Sequence, residues 1–599
     1  MSTFLKRVAV FSARHRALVI GTWLVVLVAL LFVSHEAGTK YNSTVTVSGS
    51  DSAAATDVMS RSFSAELSDG SPIVFHTDEG SVTDPENKAA IEASLKAVSE
   101  DPAVASVTNP FAEGSTTISA DGQTAYANLI PAEPLGEMTV EEAEEVVDTA
   151  VAPTEETDVD VAAGGQLGTK ISKPDTEVSE LVGILAAMLI LLLVFGTVTA
   201  MALPIVSAIV GLMTGLSIVS LLSHSLSIPD VAPTIATMIG LGVGIDYALF
   251  IVTRARSARH DGKSVHDAIG HAAATSGAAV AFAGGTVVIA LLSLAVSGIS
   301  LITMLGQAAA IVVVVAVLAS MTLLPAMLAL CGDGIERLRI GRDRRPTLGH
   351  SEVWHRWGQR LARRPGLYAI ASVVVLAALS APVLNLGLGL TDQSSAPEST
   401  NARQAYDELT DGFGAGANAP LIVAVDLGDE PAIGSDDPRL VKLYDGLSTT
   451  EGVQAVGAPQ VAEDGTAALM NVIPDGSPTS DVTSDLVDEV RDTTIPDSGV
   501  EAYVGGSTAQ QLDLAQLIGD RLPLIIGVVV ALSVLLLMVA FRTVIAPLQA
   551  AFVNLLAVGG AYGIVTAVFQ EGWGIGATGL DGAIPIVSYV PMMMFAILF

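Results

Sequence analysis

Nine runs of about eighteen or more mostly apolar residues divide this chain, and each is long enough to cross a bilayer as a helix. They are Ala17–Ser34, Leu181–Val198, Leu203–Ser223, Val231–Thr253, Ala272–Val296, Leu301–Cys331, Leu367–Leu384, Leu522–Phe541 and Ile545–Phe569. A tenth begins near Ala583. Leu301–Cys331 exceeds a simple span, so its ends protrude or it tilts. The pattern predicts a polytopic α-helical membrane protein.

Two long polar stretches, Glu36–Ser179 and Thr391–Asp520, interrupt the runs, and each has the size of a domain. Pro72–His76 and Pro420–Val425 read as short buried strands, and Thr139–Ala150 and Asp481–Arg491 as helices with acidic faces. Ser99–Val107 and Thr449–Val456 both place an acid before Val-x-x-Val. Short strands alternating with helices imply small α/β units. Gly412-Phe-Gly-Ala-Gly-Ala-Asn418 lacks the Lys-Ser/Thr pair of a phosphate cradle, so a tight turn is expected there.

Charge sets the sidedness. Lys6, Arg7, Arg14 and Arg16 precede the first run, Arg254, Arg256, Arg259 and Lys263 follow the fourth, and a basic loop spans Arg337–Arg364. The positive-inside rule places these in the cytoplasm, and counting spans then puts both polar domains outside. The expected division is 1–34 (amphipathic segment and first span), 35–178 (first extracytoplasmic porter-type domain), 179–331 (spans two to six) and 332–366 (basic loop). It continues with 367–390 (seventh span), 391–520 (second porter-type domain) and 521–599 (spans eight, nine and the start of ten). Most of the net charge of −33 falls in the polar domains. It argues against nucleic-acid binding and reads as a solvated surface or as an attraction for cationic cargo. Cys331 is the sole cysteine, which excludes an intrachain disulfide. The first run is too long, and lacks a clear small-x-small site, for a cleaved signal peptide.

The chain repeats itself at an offset of roughly one domain plus its spans. Ala13-Arg-His-Arg16 and Ala362-Arg-Arg-Pro365 open the first and seventh runs, Gly164-Gly165 and Gly505-Gly506 precede the second and eighth, and Phe195-Gly-Thr-Val198 and Phe541-Arg-Thr-Val544 close them. A two-fold internal repeat is therefore expected. Pro233 lies thirteen residues before Asp246, and the same spacing from Pro591 points to position 604, beyond Phe599. The chain thus reads as a C-terminally incomplete form of a twelve-span protein.

Before the first and seventh runs lie amphipathic stretches. Phe4, Val8 and Phe11 share one helical face, and Trp354, Trp357 and Leu361 share another, near Arg356, Arg360, Arg363 and Arg364. Such helices suit the headgroup region or a position packed under the bundle, and the two are compatible.

Asp246 is the one charged side chain in Val231–Thr253. It lies about 12 Å inside the run from Arg254. A charge at that depth costs about 2.5–3.5 kcal/mol and marks a proton or ion site, or a structural polar contact. Gly242 precedes it by one turn, while Gly240 and Gly244 form a G-x-x-x-G step toward Tyr247. These small residues let a neighbouring helix approach, so Asp246 is expected to face that neighbour rather than lipid. Tyr247, about 100° further round, can donate to a carboxylate across the edge of that interface. Arg254 reads as a topology anchor and His224 as solvated. No H-E-x-x-H, C-x-x-C or P-loop motif is present, so no enzyme, metal site, cofactor or direct use of ATP is expected.

Gly244-Ile-Asp-Tyr-Ala-Leu-Phe-Ile-Val-Thr-Arg254 resembles the fourth-span signature of the MmpL family in the RND (resistance-nodulation-division) superfamily. Asp411–Pro420, Val553–Gly563 and Phe569–Gly574 resemble further parts of it, and the likeness covers essentially the whole chain. The resemblance implies twelve spans, two outer porter domains and export driven by the proton-motive force. It assigns the first half of an Asp-Tyr proton relay to Asp246 and Tyr247. Thr275-Ser-Gly-Ala278 departs from the family, which often carries Arg at the last position. The expected function is export of lipids or other hydrophobic small molecules across the bacterial plasma membrane. The expected partners are that cargo, protons and membrane lipids, and not nucleic acid; a homo-oligomer is compatible with the sequence. The alternative is a non-transporting scaffold or sensor, or an inactive truncated gene product.

Overall fold

The computed structural model describes residues 2–598 other than 39, 42–46, 48, 64–69, 113, 134, 136–137, 173–175, 337–351, 390, 429, 579 and 581. The first part of the basic loop expected from Arg337 therefore lies outside the described residues. Among these residues, eight helices are long and apolar enough to cross a membrane, and two shorter apolar helices accompany them. The chain is a multi-pass membrane protein.

Helix α1 (Ser2–Arg14) leads into α2 (Arg16–Ala37). After the first polar stretch come α7 (Thr176–Phe195), α8 (Val198–Leu222), α9 (Ala232–His260), α10 (Val265–Ser293) and α11 (Ser300–Cys331). Helices α8, α9 and α11 pack at a seam of small residues. A Cβ on Gly215 would lie 3.1 Å from Val312 Cα, one on Gly244 3.0 Å from Ala208 Cβ, and one on Gly240 would overlap Val312. Close backbone approach replaces the hydrophobic drive that lipid cannot supply. Helix α1 buries Ala9, Ser12 and Ala13 against α10 and α11 and leaves Phe4 and Phe11 exposed. Its packed face is thus not its phenylalanine face, so both readings of this amphipathic stretch coexist. The end of α2 is tied to the end of α8: His224 Nε2 lies 3.0 Å from Ala37 O, and Lys40 N donates to Ser223 Oγ at 3.1 Å. His224 is exposed, as its place in a short loop implies, and this bond adds a partner to it.

Helix α12 (Glu352–Arg363) and α13 (Pro365–Ser380) follow, and after the second polar stretch α18 (Ser507–Phe541), α19 (Ile545–Val565) and α20 (Tyr589–Leu598). Helix α13 rests on α19, where a Cβ on Gly563 would overlap the Leu379 carbonyl and one on Gly559 would lie 2.9 Å from Ser380 Oγ. Elsewhere α2 and α13 expose apolar side chains such as Val25, Phe32, Ile370 and Val374. Continuous apolar surface of this kind suits lipid. Helix α20 starts at Tyr589 rather than near Ala583, because β11 (Ile586–Val587) pairs in parallel with β5 (Leu388–Gly389).

The polar stretches form two α/β domains. The first contains α3 (Asp51–Ser62), β1 (Ser71–His76), α4 (Pro85–Ser99), β2 (Val104–Val107), β3 (Thr124–Pro131), α5 (Val140–Val151), β4 (Asp160–Ala163) and α6 (Gly165–Ile171). The second contains α14 (Asn401–Phe413), β6 (Leu421–Asp426), α15 (Pro438–Thr449), β7 (Val453–Val456), β8 (Gln460–Val461), β9 (Ala467–Pro474), α16 (Asp481–Glu489), α17 (Ile495–Ser498) and β10 (Glu501–Gly505). The expected helix Asp481–Arg491 ends at Glu489, where a π turn, Val490–Thr494, continues it. The strand orders are the same, β2-β3-β1-β4 and β7-β9-β6-β10, with β8 added beside β9. Each sheet buries one face under its own helices. Phe75 and Leu129 meet Ile91 and Val146, and Val425 and Met470 meet Leu443 and Leu486.

The other faces are covered by crossing over. Helix α3 packs on the second sheet, placing Ala55, Val58 and Met59 against Ala424 and Leu469. Helix α14 packs on the first, placing Ala405 and Leu409 against Val74 and Ala162. Gly412-Phe-Gly-Ala-Gly-Ala-Asn418 ends α14 and turns through Gly414 (φ 90°) into β6, and a Cβ on Gly416 would overlap the Pro474 carbonyl. It is a tight turn, as its sequence implies.

Candidate functional site

Helix α9 starts with Pro233 in its first turn, where a missing N–H costs nothing, and runs 29 residues to His260. Its two faces differ. Gly240, Gly244, Tyr247 and Ala248 are buried, and Tyr247 lies against α10 and α11, where a Cβ on Gly284 would sit 3.4 Å from its ring and overlap Val317. Met238, Gly242, Asp246 and Phe250, spaced four apart, form an exposed stripe. A Cβ on Gly242 would meet nothing within 4 Å. Asp246 makes no hydrogen bond or ion pair among the described residues. The expectation that Gly242 packs and that Asp246 faces the close neighbour is corrected here. At 100° per residue the G-x-x-x-G seam and the carboxylate point to different sides, and the seam takes the neighbour.

The structure therefore brings Tyr247 together with Gly240 and Gly244, and holds Asp246 beside them on an open flank. The arrangement is a fixed phenol in the packed core next to a carboxylate accessible from one side. Such a carboxylate can take up or lose a proton without unpacking the helix that bears it.

One inner-end residue escapes sequence reading. Arg256, only 6% exposed, donates through Nε (3.1 Å) and Nη2 (2.9 Å) to Glu336 Oε1, and through Nη1 to Phe195 O (3.1 Å), with its guanidinium over the Phe195 ring. It ties the end of α9 to the turn after α11 and to the end of α7. Arg259 pairs with Asp333 beside it, and Thr197 Oγ1 donates to Ile335 O at 3.2 Å. In the sequence Arg256 looks like any of four neighbouring cations; only Glu336, the acid just after the sixth run, hints at a partner.

The α/β domains hold a second group of buried charges. Arg491 spans Asp51 at the start of α3 (Nε to Oδ2, 3.0 Å) and Asp513 on α18 (Nη1 to Oδ1, 2.6 Å), and also donates to Val504 O. Asp513 accepts from Ser52 N at 3.1 Å, and Asp51 from Val504 N at 2.6 Å. On the opposite side Glu408 of α14 faces the first sheet with a buried, unpartnered Oε2. Burial, then the charges of Asp160, Asp407 and Asp78, push its carboxyl up to about 8. No cluster of three or more His, Cys, Asp or Glu suited to a metal exists among the described residues.

Residues 44–368 and 394–597 match the model of the MMPL family. Membrane protein YdfJ of Bacillus subtilis is 31% identical over the full length of this chain and 82% of its own. The mycolic acid-containing lipids exporter MmpL11 of Mycolicibacterium smegmatis is 29% identical over 73% of this chain and 46% of its own length. The trehalose monomycolate exporter MmpL3 of the same organism is 26% identical over 70% of this chain. The chain spans 44% of MmpL3, so it covers less than half of each of these two exporters.

Proposed function

This chain belongs to the MMPL family of membrane transporters, and from that premise we propose that it uses the proton gradient to export lipids or other hydrophobic small molecules across the plasma membrane. The observation that carries the proposal is Asp246. It is the one charged group in its apolar run, it costs about 2.5–3.5 kcal/mol at that depth, and it stands on an accessible flank of a packed helix. A group kept at that cost has a use. Protonation makes the flank of α9 apolar and deprotonation makes it polar, so the surface that α9 can seat against changes with each cycle. Tyr247, fixed between α10 and α11, holds the rotation of α9 so that Asp246 stays on that flank.

The sidedness in this proposal has support from placement. Lys6 lies beside Gly270, Arg16 donates to Ala329 O at 2.6 Å, and Arg256 reaches Glu336, so the cations gather at one end of the bundle. The α/β domains leave from the other end, and the proposal has them pass cargo outward by alternating access. The lipid character of the cargo rests on the two MmpL relatives, exporters of mycolic acid-containing lipids and of trehalose monomycolate.

The test is dissipation of an imposed pH gradient in proteoliposomes made with the natural protein and its native lipid extract, which supplies hydrophobic cargo. Asp246→Asn is expected to reduce proton flux to the level of empty vesicles while protein yield and helical content stay unchanged. Flux equal to that of the wild type would sink the proposal and leave a non-transporting scaffold or sensor as the better reading.

A further inference from the structure

Among the described residues, helix α7 is fastened to the bundle at one end. Between Leu181 and Phe195 the buried side chains are Leu191 and Phe195, with Met188 and Leu192 partly buried beside them. Leu181, Val182 and Leu185, nearer the α/β domain, are each more than half exposed. The last residue carries the fastening. Arg256 Nη1 donates to Phe195 O at 3.1 Å, and the guanidinium carbon stands 5.4 Å from the centre of the Phe195 ring. A carbonyl at a helix C-terminus lacks a partner within its own helix and sits at the negative end of the dipole, so a cation from a neighbouring helix suits it. Gly196 (φ 67°) then turns the chain toward α8, and Thr197 Oγ1 donates to Ile335 O.

The same guanidinium is fixed on its other side, where Nε and Nη2 both donate to Glu336 Oε1 in the turn Gly332–Glu336. Arg256 and Asp246 share one continuous helix, about 15 Å apart along its axis. In the other direction, α7 leads back along the chain to α6, whose Leu167 is fully buried in the core of the first α/β domain. A continuous series of parts therefore runs from Asp246 through α9, Arg256 and α7 to that domain. A buried ion pair adds little stability over apolar packing of equal volume, but it can set the register of the elements it joins. We propose that Arg256 is a positioning residue that couples α9 to the first α/β domain. When the seating of α9 changes with the charge on Asp246, Arg256 carries Phe195 with it, and α7 swings about its fastened end. The contact grips Phe195 by both carbonyl and ring, which takes the planar fork of an arginine and not a point charge. The inference rests on the proton-driven export proposed above.

The experiment uses the whole chain with Cys331→Ser, which removes its sole cysteine, and with nitroxide labels on Leu185→Cys of α7 and Val314→Cys of α11, both exposed positions. The protein is reconstituted in its native lipid extract, and the distance between the labels is read by pulsed dipolar spectroscopy. Asp246→Asn stands in for the protonated carboxyl. The expected result is a shift of the distance between this parent and its Asp246→Asn form. In an Arg256→Gln background the shift should be lost. In an Arg256→Lys background, which keeps the charge and spares the fold, it should be reduced. Proton flux is measured on the same vesicles and on vesicles of phosphatidylcholine alone. In the parent, flux should depend on the native extract, and Arg256→Gln should lose that dependence, because the proton carrier then cycles without moving the domain; a merely structural role would lower flux in both lipids alike. A full Asp246→Asn shift in both Arg256 backgrounds would overturn the coupling. So would an unmoved distance in a parent whose flux Asp246→Asn still abolishes, an outcome that leaves proton-driven export standing. Flux untouched by Asp246→Asn would remove the export reading, and this inference with it.

Discussion

The two α/β domains share a strand order and each is backed by a helix from the other half of the chain, yet they handle charge at that contact in opposite ways. Where α3 meets the second sheet, Asp51 and Asp513 are bridged by Arg491, and both carboxylates accept further backbone bonds. Where α14 meets the first sheet, Glu408 presents a buried oxygen without a partner, close to Asp160, Asp407 and Asp78. His76 stands in register with Asp160 on β4 and with Thr124 on β3, and its Nδ1 is 2.9 Å from Thr124 Oγ1. His76 Nε2 also lies 3.5 Å from Asp78, and Arg403 is engaged with Asp407 at 2.7 Å, so neither side chain is placed on Glu408. One docking site is electrically complete; the other is complete only when a proton is present. Shared topology therefore leaves the pH response of a contact undetermined, and individual residues set it.

The largest expected effect breaks the complete side. Arg491→Met leaves two carboxylates facing each other, one of them with a side chain only 7% exposed. Removing one member of a buried ion network costs about 3–5 kcal/mol. Thermal unfolding in detergent should show it, with hydrogen exchange rising first in α3. A change of only a few tenths would mean that the network holds nothing.

Next comes the pH response of the incomplete side. A carboxyl raised from 4.5 to about 8 favours the docked state in its neutral form. That stabilisation is full below the ordinary value and is lost as pH climbs to about 8. Allowing for partial exposure, its span is about 2–3 kcal/mol. Exchange protection of α14, corrected for intrinsic rates, should fall across this window in the wild type and stay flat in Glu408→Gln. Identical profiles in the two proteins would refute the assignment.

The smallest effect sharpens the comparison. Ser50 caps α3 by accepting from Ala53 N at 3.1 Å, whereas Thr400 before α14 caps nothing and donates to Pro397 O. Ser50→Ala should therefore cost about 1 kcal/mol and Thr400→Ala much less. Equal costs in the same unfolding assay would remove the distinction between the two helix starts.

Much of this architecture is legible in the sequence because it is local. The apolar runs fall on helices, β1 and β6 fall on the short buried strands expected at Pro72–His76 and Pro420–Val425, and α5 falls on the helix expected at Thr139–Ala150. What is not legible depends on partners far along the chain. The periodicity of α9 correctly sets Gly242 with Asp246, but which flank is packed is decided by Ala208 and Val312, and these choose Gly240 and Gly244. Arg256 is one cation among several until Glu336 folds onto it. The crossing of α3 and α14 rests on Ala55, Ala405 and their neighbours, small residues whose pattern fits many surfaces.

Helix α18 has a mechanical side. It continues unbroken for 35 residues, roughly 50 Å, from Ser507 beside the second sheet to Phe541. In the first half α6 and α7 divide the corresponding path between them. A rod clamped near one end at Asp513 and interrupted in its bonding at Pro523 works as a lever with a weak point near its middle. A small turn of the second domain sweeps the far end of α18 through a larger arc, or is spent as bending at Pro523. Among the described residues the first domain has no such continuous arm, so the two halves, alike in their sheets, are geared to the membrane differently.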